Sequence, residues 1–374
     1  MKDAPDQTEC RLLPSRPIRP LLTLLALALA VPLQATPARA DANISAGNWG
    51  VYTGGRDGVY PAYQHAKGKR KKILAKAALQ PRAAWLTHAT PLDKVEDYFK
   101  EYIDNTRHGD PDKLVQMTIF REFPRTEAHR NIPLTEQEQA DYRTWIDRAA
   151  KAIGNTRALI LLEPDMPENA PEAGKSKGLQ VADPAVRLGL VRYAAQKLSS
   201  LPRTTIYLDA GAADWIDVAR MVPVLQAAGI EYARGIFVGA THRTSVGADA
   251  VFAGKVIDAL AAVGHPGKRA VLDTSDNGRP YTTRQFKRKH PRGNYNDPFV
   301  CRSKREKRCQ TIGVPPTTDV TASRPALKLK PKQAAALATY VDAFLWIGRP
   351  WIGGNGTAFS AKRTAQAVRT SPFL

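Results

Sequence analysis

Short, continuous runs of apolar residues recur along the chain, and segments with helical periodicity separate most of them. Runs of this length are typical of strands that are buried on both faces of a sheet. Alternating strands and helices predict an α/β protein with a parallel sheet, either doubly wound or closed into a barrel. The predicted strands lie at residues 114–120, 158–163, 204–209, 232–238 and 269–273, with a further candidate at 344–347.

The helices between these runs have one apolar face each. Tyr142, Trp145 and Ile153 share such a face, and Gly154 stands where a helix should end. Similar periodicity is present at residues 188–198 and 251–260, and an earlier helix is expected to begin at Thr90-Pro91. Because the sequence has neither an internal repeat nor a long low-complexity linker, we expect a single domain.

The first forty residues differ from the rest. Arg16 and Arg19 precede an apolar run at 21–29, and Ala38-Arg39-Ala40 follows it, as in a cleavable signal peptide. The alternative is an uncleaved membrane anchor, although Pro32 interrupts the run early. We therefore expect residues 1–40 to be removed and residues 41–374 to be secreted, outside the cell or into a periplasm, without an integral membrane segment.

The chain is strongly basic, with a formal net charge of +20. Much of this charge is clustered at residues 67–72 and 284–307. Such clusters are usually solvated loops, but they also suit attraction to an acidic polymer or an anionic surface. No nucleic-acid-binding motif accompanies them, so nucleic acid is not expected as a partner. In an oxidising compartment, Cys301 and Cys309 could form a local disulfide.

Acidic residues stand at the ends of several predicted strands. They are Glu163, Asp165, Asp209 and Asp273, with Asp276 just beyond. Cleavage of a glycosidic bond needs one carboxylic acid as proton donor and a positioned water, so such a cluster suits this chemistry. An aspartate before a helix can instead be only a cap. Tryptophans add to the first interpretation because indole stacks well on sugar rings, although core packing is the alternative for each of them.

Short motifs with a familiar order occur between residues 76 and 356. Residues 207–211 (YLDAG), followed by Trp215, resemble the Y-L-D-A-G-x-x-x-W element of glycoside hydrolase family 6, the inverting cellulases and cellobiohydrolases. Further similar motifs lie at residues 80–86 (QPRAAWL), 161–165 (LLEPD), 272–278 (LDTSDNG), 313–318 (GVPPTT) and 342–350 (DAFLWIGRP).

This resemblance implies a distorted (β/α) barrel of about seven parallel strands with a cleft or tunnel for a β-1,4-glucan. It implies that Asp165 is the general acid, that Asp209 and Asp273 lie on the cleft floor, and that Trp215 is a sugar platform. Carboxylates and water suffice for this chemistry, so no cofactor and no metal are expected. The predicted catalytic residues are Asp165, Glu127 and Asp273, and the predicted substrate-binding residues are Asp209, Trp215, Trp351, Arg121, Asp276 and Asn355.

Several positions depart from the family pattern. Glu127 stands where the family has an aspartate that tunes the acid, and Arg121 replaces a tyrosine. Asn355 replaces the aspartate often proposed as the base, and an asparagine cannot accept a proton there. Asp273 or Asp276, or a chain of waters, could supply the base instead.

These departures leave three functional hypotheses open. The first is a glycosidase acting on β-1,4-glucan or a related polysaccharide, and the second is a carbohydrate-binding relative without catalysis. The third is a glycosidase for an acidic or non-cellulosic polymer, which the basic charge favours. The partner in each case is a polysaccharide or oligosaccharide. The sequence does not distinguish endo from exo action, and it does not indicate an oligomeric state.

Overall fold

Seven parallel strands form the central sheet of the computed structural model, and each strand pairs with the next one in the sequence. The structure describes residues 44, 47–121, 131–170, 181–240, 242–353 and 358–374. The strands are β1 (Ala84–Thr87), β2 (Val115–Phe120), β3 (Ala158–Leu162), β4 (Thr204–Asp209), β5 (Gly235–Val238), β6 (Arg269–Asp273) and β7 (Val341–Leu345). A small antiparallel pair, β8 (Ile352–Gly353) with β9 (Ala358–Phe359), follows.

Helices connect the strands, as the alternating pattern predicts. The early ones are α1 (Val59–His65), α2 (Gly68–Ala78), α3 (Val95–Arg107), α4 (Glu136–Ile153) and α5 (Pro184–Ser199). The later ones are α6 (Val218–Ala227), α7 (Val246–Ala262), α8 (Thr283–Lys289), α9 (Arg324–Leu327), α10 (Pro331–Tyr340) and α11 (Ala361–Thr370). The helix α4 begins at a capping box of Thr135 and Glu138 and ends at Gly154, the residue at which the sequence predicts its end.

The two edges of the sheet approach each other, so the sheet is curled. The N–H of Ala83, just before β1, donates to the carbonyl oxygen of Trp346, just after β7, at 2.9 Å. The indole N–H of Trp85 donates to the carbonyl oxygen of Ile347 at 2.7 Å. A curled sheet of seven parallel strands therefore confirms the predicted strand number and direction.

Apolar side chains fill both faces of the sheet. Alternate residues such as Leu159, Leu161 and Tyr207 pack together inside the curl. The residues between them, such as Ile160 and Leu208, pack outward against the helices. Since a parallel strand covered on both sides has little room for polar residues, its sequence is mostly apolar, and Gln116, Thr118 and Thr205 are buried exceptions. This packing explains why the apolar runs predict the strands.

Some predicted boundaries differ from the observed ones. The candidate strand at 344–347 is part of β7, which begins earlier, and the run at 232–238 forms a strand only over β5. A short 3₁₀ turn, Leu92–Lys94, separates Pro91 from α3, so the helix begins later than the Thr90-Pro91 signal indicates. The strand β1 was not among the apolar runs, because its four residues include the partly exposed Trp85 and Thr87.

Residues 39–374 form one compact unit. Within it a disulfide joins the buried residues Cys301 and Cys309 across the basic loop. In the part of the chain that the structure describes, no helix is long and apolar enough to cross a membrane. The predicted signal peptide, residues 1–40, lies outside the described residues.

Candidate active site

The turn after β3 holds two of the predicted acidic residues in different surroundings. Glu163 and Asp165 both have positive φ angles, 53° and 68°, a conformation that aspartate tolerates better than most residues. The Glu163 carboxylate is fully buried and accepts hydrogen bonds from the Arg121 backbone N–H at 2.9 Å and the Tyr142 hydroxyl at 2.8 Å. Glu163 therefore fixes the turn, whereas Asp165 is partly exposed beside an open cleft.

Asp209, at the end of β4, lies behind this turn. Its carboxylate is buried and accepts hydrogen bonds from the backbone N–H groups of Gly211, Asp165 and Met166. Burial above all, together with the nearby charge of Asp165, raises the pKa of Asp209 to about 8, against the hydrogen bonds, which lower it. Asp209 therefore holds the backbone that carries Asp165, and its own side chain does not line the cleft.

Asp273, at the end of β6, accepts four hydrogen bonds from the protein. It accepts bonds from the N–H groups of Ile347 (3.0 Å), Gly348 (2.9 Å) and Ser275 (2.8 Å), and from the Ser275 hydroxyl (2.9 Å). Burial and the neighbouring charge of Asp276 raise the pKa of Asp273, against the effect of these hydrogen bonds. Because its oxygens face backbone donors, Asp273 ties β6 to β7. Its predicted catalytic role stays a prediction.

The cleft has a volume of about 560 Å³ and lies at the carboxyl ends of the strands, where parallel α/β folds form their sites. Each strand end or following loop contributes to its wall. The lining includes Trp85, Asp165, Trp215, His242, Asp276 and Arg349.

An ion pair between Arg243 and Asp276 forms one wall of the cleft. The Nε atom of Arg243 lies 3.0 Å from Oδ2 of Asp276, and both side chains are buried at the cleft surface. The amide of Gln310 donates to the same oxygen at 2.8 Å. Asp276 therefore lines the cleft as one half of an ion pair, and its contact with a substrate stays a prediction.

A stacked pair of rings forms the neighbouring wall. The His242 imidazole lies parallel to the Trp215 indole, with ring centroids 4.7 Å apart and an interplanar angle of 9°. Nδ1 of His242 lies 2.6 Å from Oδ1 of Asp214, whose other oxygen accepts from the Thr283 N–H. Although burial opposes it, these hydrogen bonds hold the pKa of Asp214 below its ordinary value. One face of the predicted sugar platform is therefore covered by histidine.

Arg349 and Trp85 face each other across the join between β7 and β1. The guanidinium carbon of Arg349 lies 4.2 Å from the centroid of the Trp85 ring, a cation–π contact. Burial lowers the pKa of Arg349 to about 10, and the nearby charge of Asp165 opposes that shift. At neutral pH Arg349 is therefore a cation beside the predicted acid.

Two predicted substrate-binding residues lie away from the cleft. The ring of Trp351 is 2% exposed and packs in an apolar cluster with Val59 and Val368. Arg121 is buried behind the turn after β3, where its backbone N–H binds Glu163. Both side chains are buried, and their predicted contacts with a substrate stay predictions. Glu127 and Asn355 lie outside the described residues.

The sequence did not single out several residues that line the cleft. Trp85 lies in a strand too short to give a pattern, although its family motif was recognised. Asp214 and His242 meet across 28 positions, which no local spacing reveals. The loop position of His242 after β5 was the available signal, since loops at the carboxyl ends of strands carry the site. Among the described residues no group of three or more His, Cys, Asp or Glu side chains could hold a metal ion.

Carboxylates, aromatic rings and arginines around a cleft at the carboxyl edge of a curled parallel sheet define a candidate carbohydrate-active site. Comparison with known sequences identifies the family. The model of the family "Glycosyl hydrolases family 6" matches residues 55–357, and the chain belongs to this family. The resemblance found in the sequence is therefore confirmed.

Curated relatives match shorter segments. Over 222 residues the chain is 29% identical to Endoglucanase A of Cellulomonas fimi, a match that covers 59% of this chain and 44% of that protein. Over 139 residues it is 31% identical to Endoglucanase 1 of Streptomyces halstedii, covering 37% of this chain and 41% of the relative. The matched segments thus span less than half the length of these relatives.

Solved structures show the same fold. The endoglucanase Cel6 from Mycobacterium tuberculosis, solved in complex with methyl-cellobiosyl-4-deoxy-4-thio-β-D-cellobioside, matches with a TM-score of 0.64 and 22% identity, covering 87% of this chain and 98% of that one. The GH6 enzyme of Orpinomyces sp. Y102 matches with a TM-score of 0.62 and 18% identity, covering 85% and 95%. The predicted distorted barrel is therefore confirmed.

Proposed function

We propose that the protein is a glycosidase that hydrolyses β-1,4-glucan or a related polysaccharide by inversion, with Asp165 as the general acid. The observation that carries this proposal is the contrast among the strand-end carboxylates. Glu163, Asp209 and Asp273 are buried and accept hydrogen bonds from the protein, whereas Asp165 lines the cleft. Family membership and the cellulase relatives support the same chemistry.

In the proposed reaction, the Asp165 carboxyl group donates its proton to the oxygen of the leaving sugar as the glycosidic bond breaks. A water molecule attacks the anomeric carbon from the opposite face and loses a proton to a base, and solvent then reprotonates Asp165. Of the alternatives for the base, Asp276 lines the cleft and Asp273 does not. Asp276 is the better candidate for this reason, although Arg243 and Gln310 hold one of its oxygens.

The substitution Asp165→Asn tests this proposal because it keeps the shape of the side chain and removes its proton. We expect kcat/KM on the best polysaccharide to fall by about 10²–10⁴-fold, as for loss of a general acid. Asp217→Asn is the matched control, since Asp217 is an exposed cap of α6 outside the cleft and asparagine also caps helices. Unchanged activity in Asp165→Asn would place the acid elsewhere.

The same assay separates an enzyme from a non-catalytic binder. A binder would raise its melting temperature with oligosaccharide but release no reducing sugar, in wild type and Asp165→Asn alike. An enzyme releases reducing sugar that depends on Asp165.

We also propose that the protein is secreted after removal of residues 1–40. The charged start, the apolar run at 21–29 and the Ala38-Arg39-Ala40 pattern support this proposal. Expression in a secreting host, followed by N-terminal sequencing of the exported protein, should give a chain that begins at Asp41. An exported chain that retains residues 1–40 would contradict it.

A further inference from the structure

Protein side chains cover a ring face of each of two tryptophans that line the cleft. Arg349 lies over Trp85 at 4.2 Å, and His242 lies over Trp215 at 4.7 Å. A neutral pyranose binds indole by laying its C–H face on the ring. While Arg349 and His242 hold these positions, the two faces are not available to a neutral glucan. At these two places the cleft therefore presents a guanidinium and an imidazole instead of an indole face.

Arg349 differs from the other arginines of this wall. Arg243 forms an ion pair with Asp276, with its Nε 3.0 Å from the carboxylate, and Arg363 lies 3.6 Å from Asp297. For Arg349, the contacts with described residues are the Trp85 ring and the longer-range charge of Asp165. In the described parts of the chain, no acceptor lies within hydrogen-bond distance of its guanidinium.

The guanidinium of Arg349 is half-buried and lines the cleft, so its N–H groups can donate to a bound ligand. Its planar fork matches a carboxylate, with two parallel N–H···O bonds, better than it matches isolated hydroxyl groups. Contact with Trp85 holds the guanidinium in place, so little side-chain freedom is lost when the ligand binds.

We propose that Arg349 is a carboxylate-binding site of the cleft and that the substrate is a polysaccharide containing uronic-acid residues. This inference rests on the proposed glycosidase function and names its substrate class. The basic clusters at residues 67–72 and 284–307 are consistent with an acidic polymer, because they attract polyanions to the protein.

Because Arg349 lies beside Asp165, the charge of the substrate also affects the protonation of Asp165. A neighbouring cation favours the ionised form of a carboxylic acid, but a general acid must be protonated. A substrate carboxylate bound to Arg349 offsets that positive charge and so favours the protonated form of Asp165. The acid is then ready for reaction when an anionic substrate is bound, and less so with a neutral one.

The test uses a pair of substrates that differ in one group. Cello-oligosaccharides and their C6-oxidised counterparts, β-1,4-linked oligoglucuronates, have the same linkage and length. We expect wild-type kcat/KM to be about ten- to one-hundredfold higher for the oxidised substrate, the factor that a charge-assisted hydrogen bond provides. Arg349→Gln should remove this preference, whereas Arg349→Lys, which keeps the charge without the fork, should retain part of it. Arg220→Gln, which removes an exposed arginine of α6, should leave the preference unchanged.

Binding in an inactive background separates this inference from the proposed function. Oligoglucuronate is titrated into Asp165→Asn and into the double variant Asp165→Asn/Arg349→Gln by calorimetry. We expect the double variant to bind at least about tenfold more weakly. Equal binding by the two proteins, or equal loss of activity on neutral and oxidised substrates in Arg349→Gln, would overturn the site at Arg349 and leave the glycosidase proposal standing. If Asp165→Asn keeps full activity, the assignment of Asp165 as the acid fails, and the calorimetric comparison still decides whether Arg349 binds carboxylates.

Discussion

The turn after β3 and the turn after β6 both place a carboxylate at the end of a central strand, yet their side chains have opposite surroundings. Asp273 lies among three backbone N–H groups and one hydroxyl and is buried. Asp165 lies in a left-handed turn with φ 68° and lines the cleft. Position at a strand end therefore does not determine the role of an acid. The surrounding hydrogen-bond donors determine it.

Neighbouring strands account for this difference. The residues that follow β7 lie beside the end of β6, so the N–H groups of Ile347 and Gly348 donate to Asp273. At β3 the neighbouring acid, Asp209, takes the backbone N–H groups of the turn. By holding the backbone of this turn, Asp209 directs the Asp165 side chain into the cleft.

The largest effect on stability is expected from Asp273→Ala. This change leaves the buried N–H groups of Ile347 and Gly348 without an acceptor, and each such group costs about 1–3 kcal/mol. We expect the free energy of unfolding, measured with urea, to fall by roughly 3–5 kcal/mol. Asp319→Ala is the control, because Asp319 also accepts backbone N–H bonds but is exposed to water. If Asp165→Ala destabilised the fold as much as Asp273→Ala, the two turns would not differ as described.

A smaller, pH-dependent effect is expected from Asp209→Asn. Since burial raises the pKa of Asp209 to about 8, the folded protein keeps this proton at pH values where the unfolded chain has lost it. Wild-type stability should therefore fall as pH rises from about 4 to 8, because the folded state binds this proton more tightly than the unfolded chain does. Asparagine does not titrate, so the variant should lack this contribution. Urea unfolding at several pH values measures both slopes, and parallel curves would show that Asp209 is ionised in the folded protein.

The sequence predicts those parts of the molecule that depend on local patterns. The apolar runs predict β2 to β6 because these strands are covered on both faces, and Gly154 marks the end of α4 because that end needs an unusual backbone conformation. The disulfide of Cys301 and Cys309 closes a loop short enough to be expected from spacing alone.

The cleft depends instead on contacts between distant segments. The indole N–H of Trp85 donates to the carbonyl oxygen of Ile347, 262 positions away. This contact between the two edges of the sheet places Arg349 in the cleft, over the Trp85 ring. Trp351, two residues further, turns into the core. The sequence pattern does not distinguish Arg349 from Trp351, because the curl of the whole sheet decides which of the two side chains faces the cleft.

The smallest effect is expected from Ser275→Ala, which removes one of the four donors to Asp273 and leaves the backbone donors in place. The Ser275 hydroxyl donates at 2.9 Å and is buried, so no water replaces it without rearrangement. We expect the free energy of unfolding to fall by about 1–2 kcal/mol, less than for Asp273→Ala, because the carboxylate still satisfies the three N–H groups. Combining the two substitutions measures their coupling: the double variant should be hardly less stable than Asp273→Ala alone, since the hydroxyl acts through that carboxylate. Fully additive losses would mean that Ser275 stabilises the turn through a contact other than the one with Asp273.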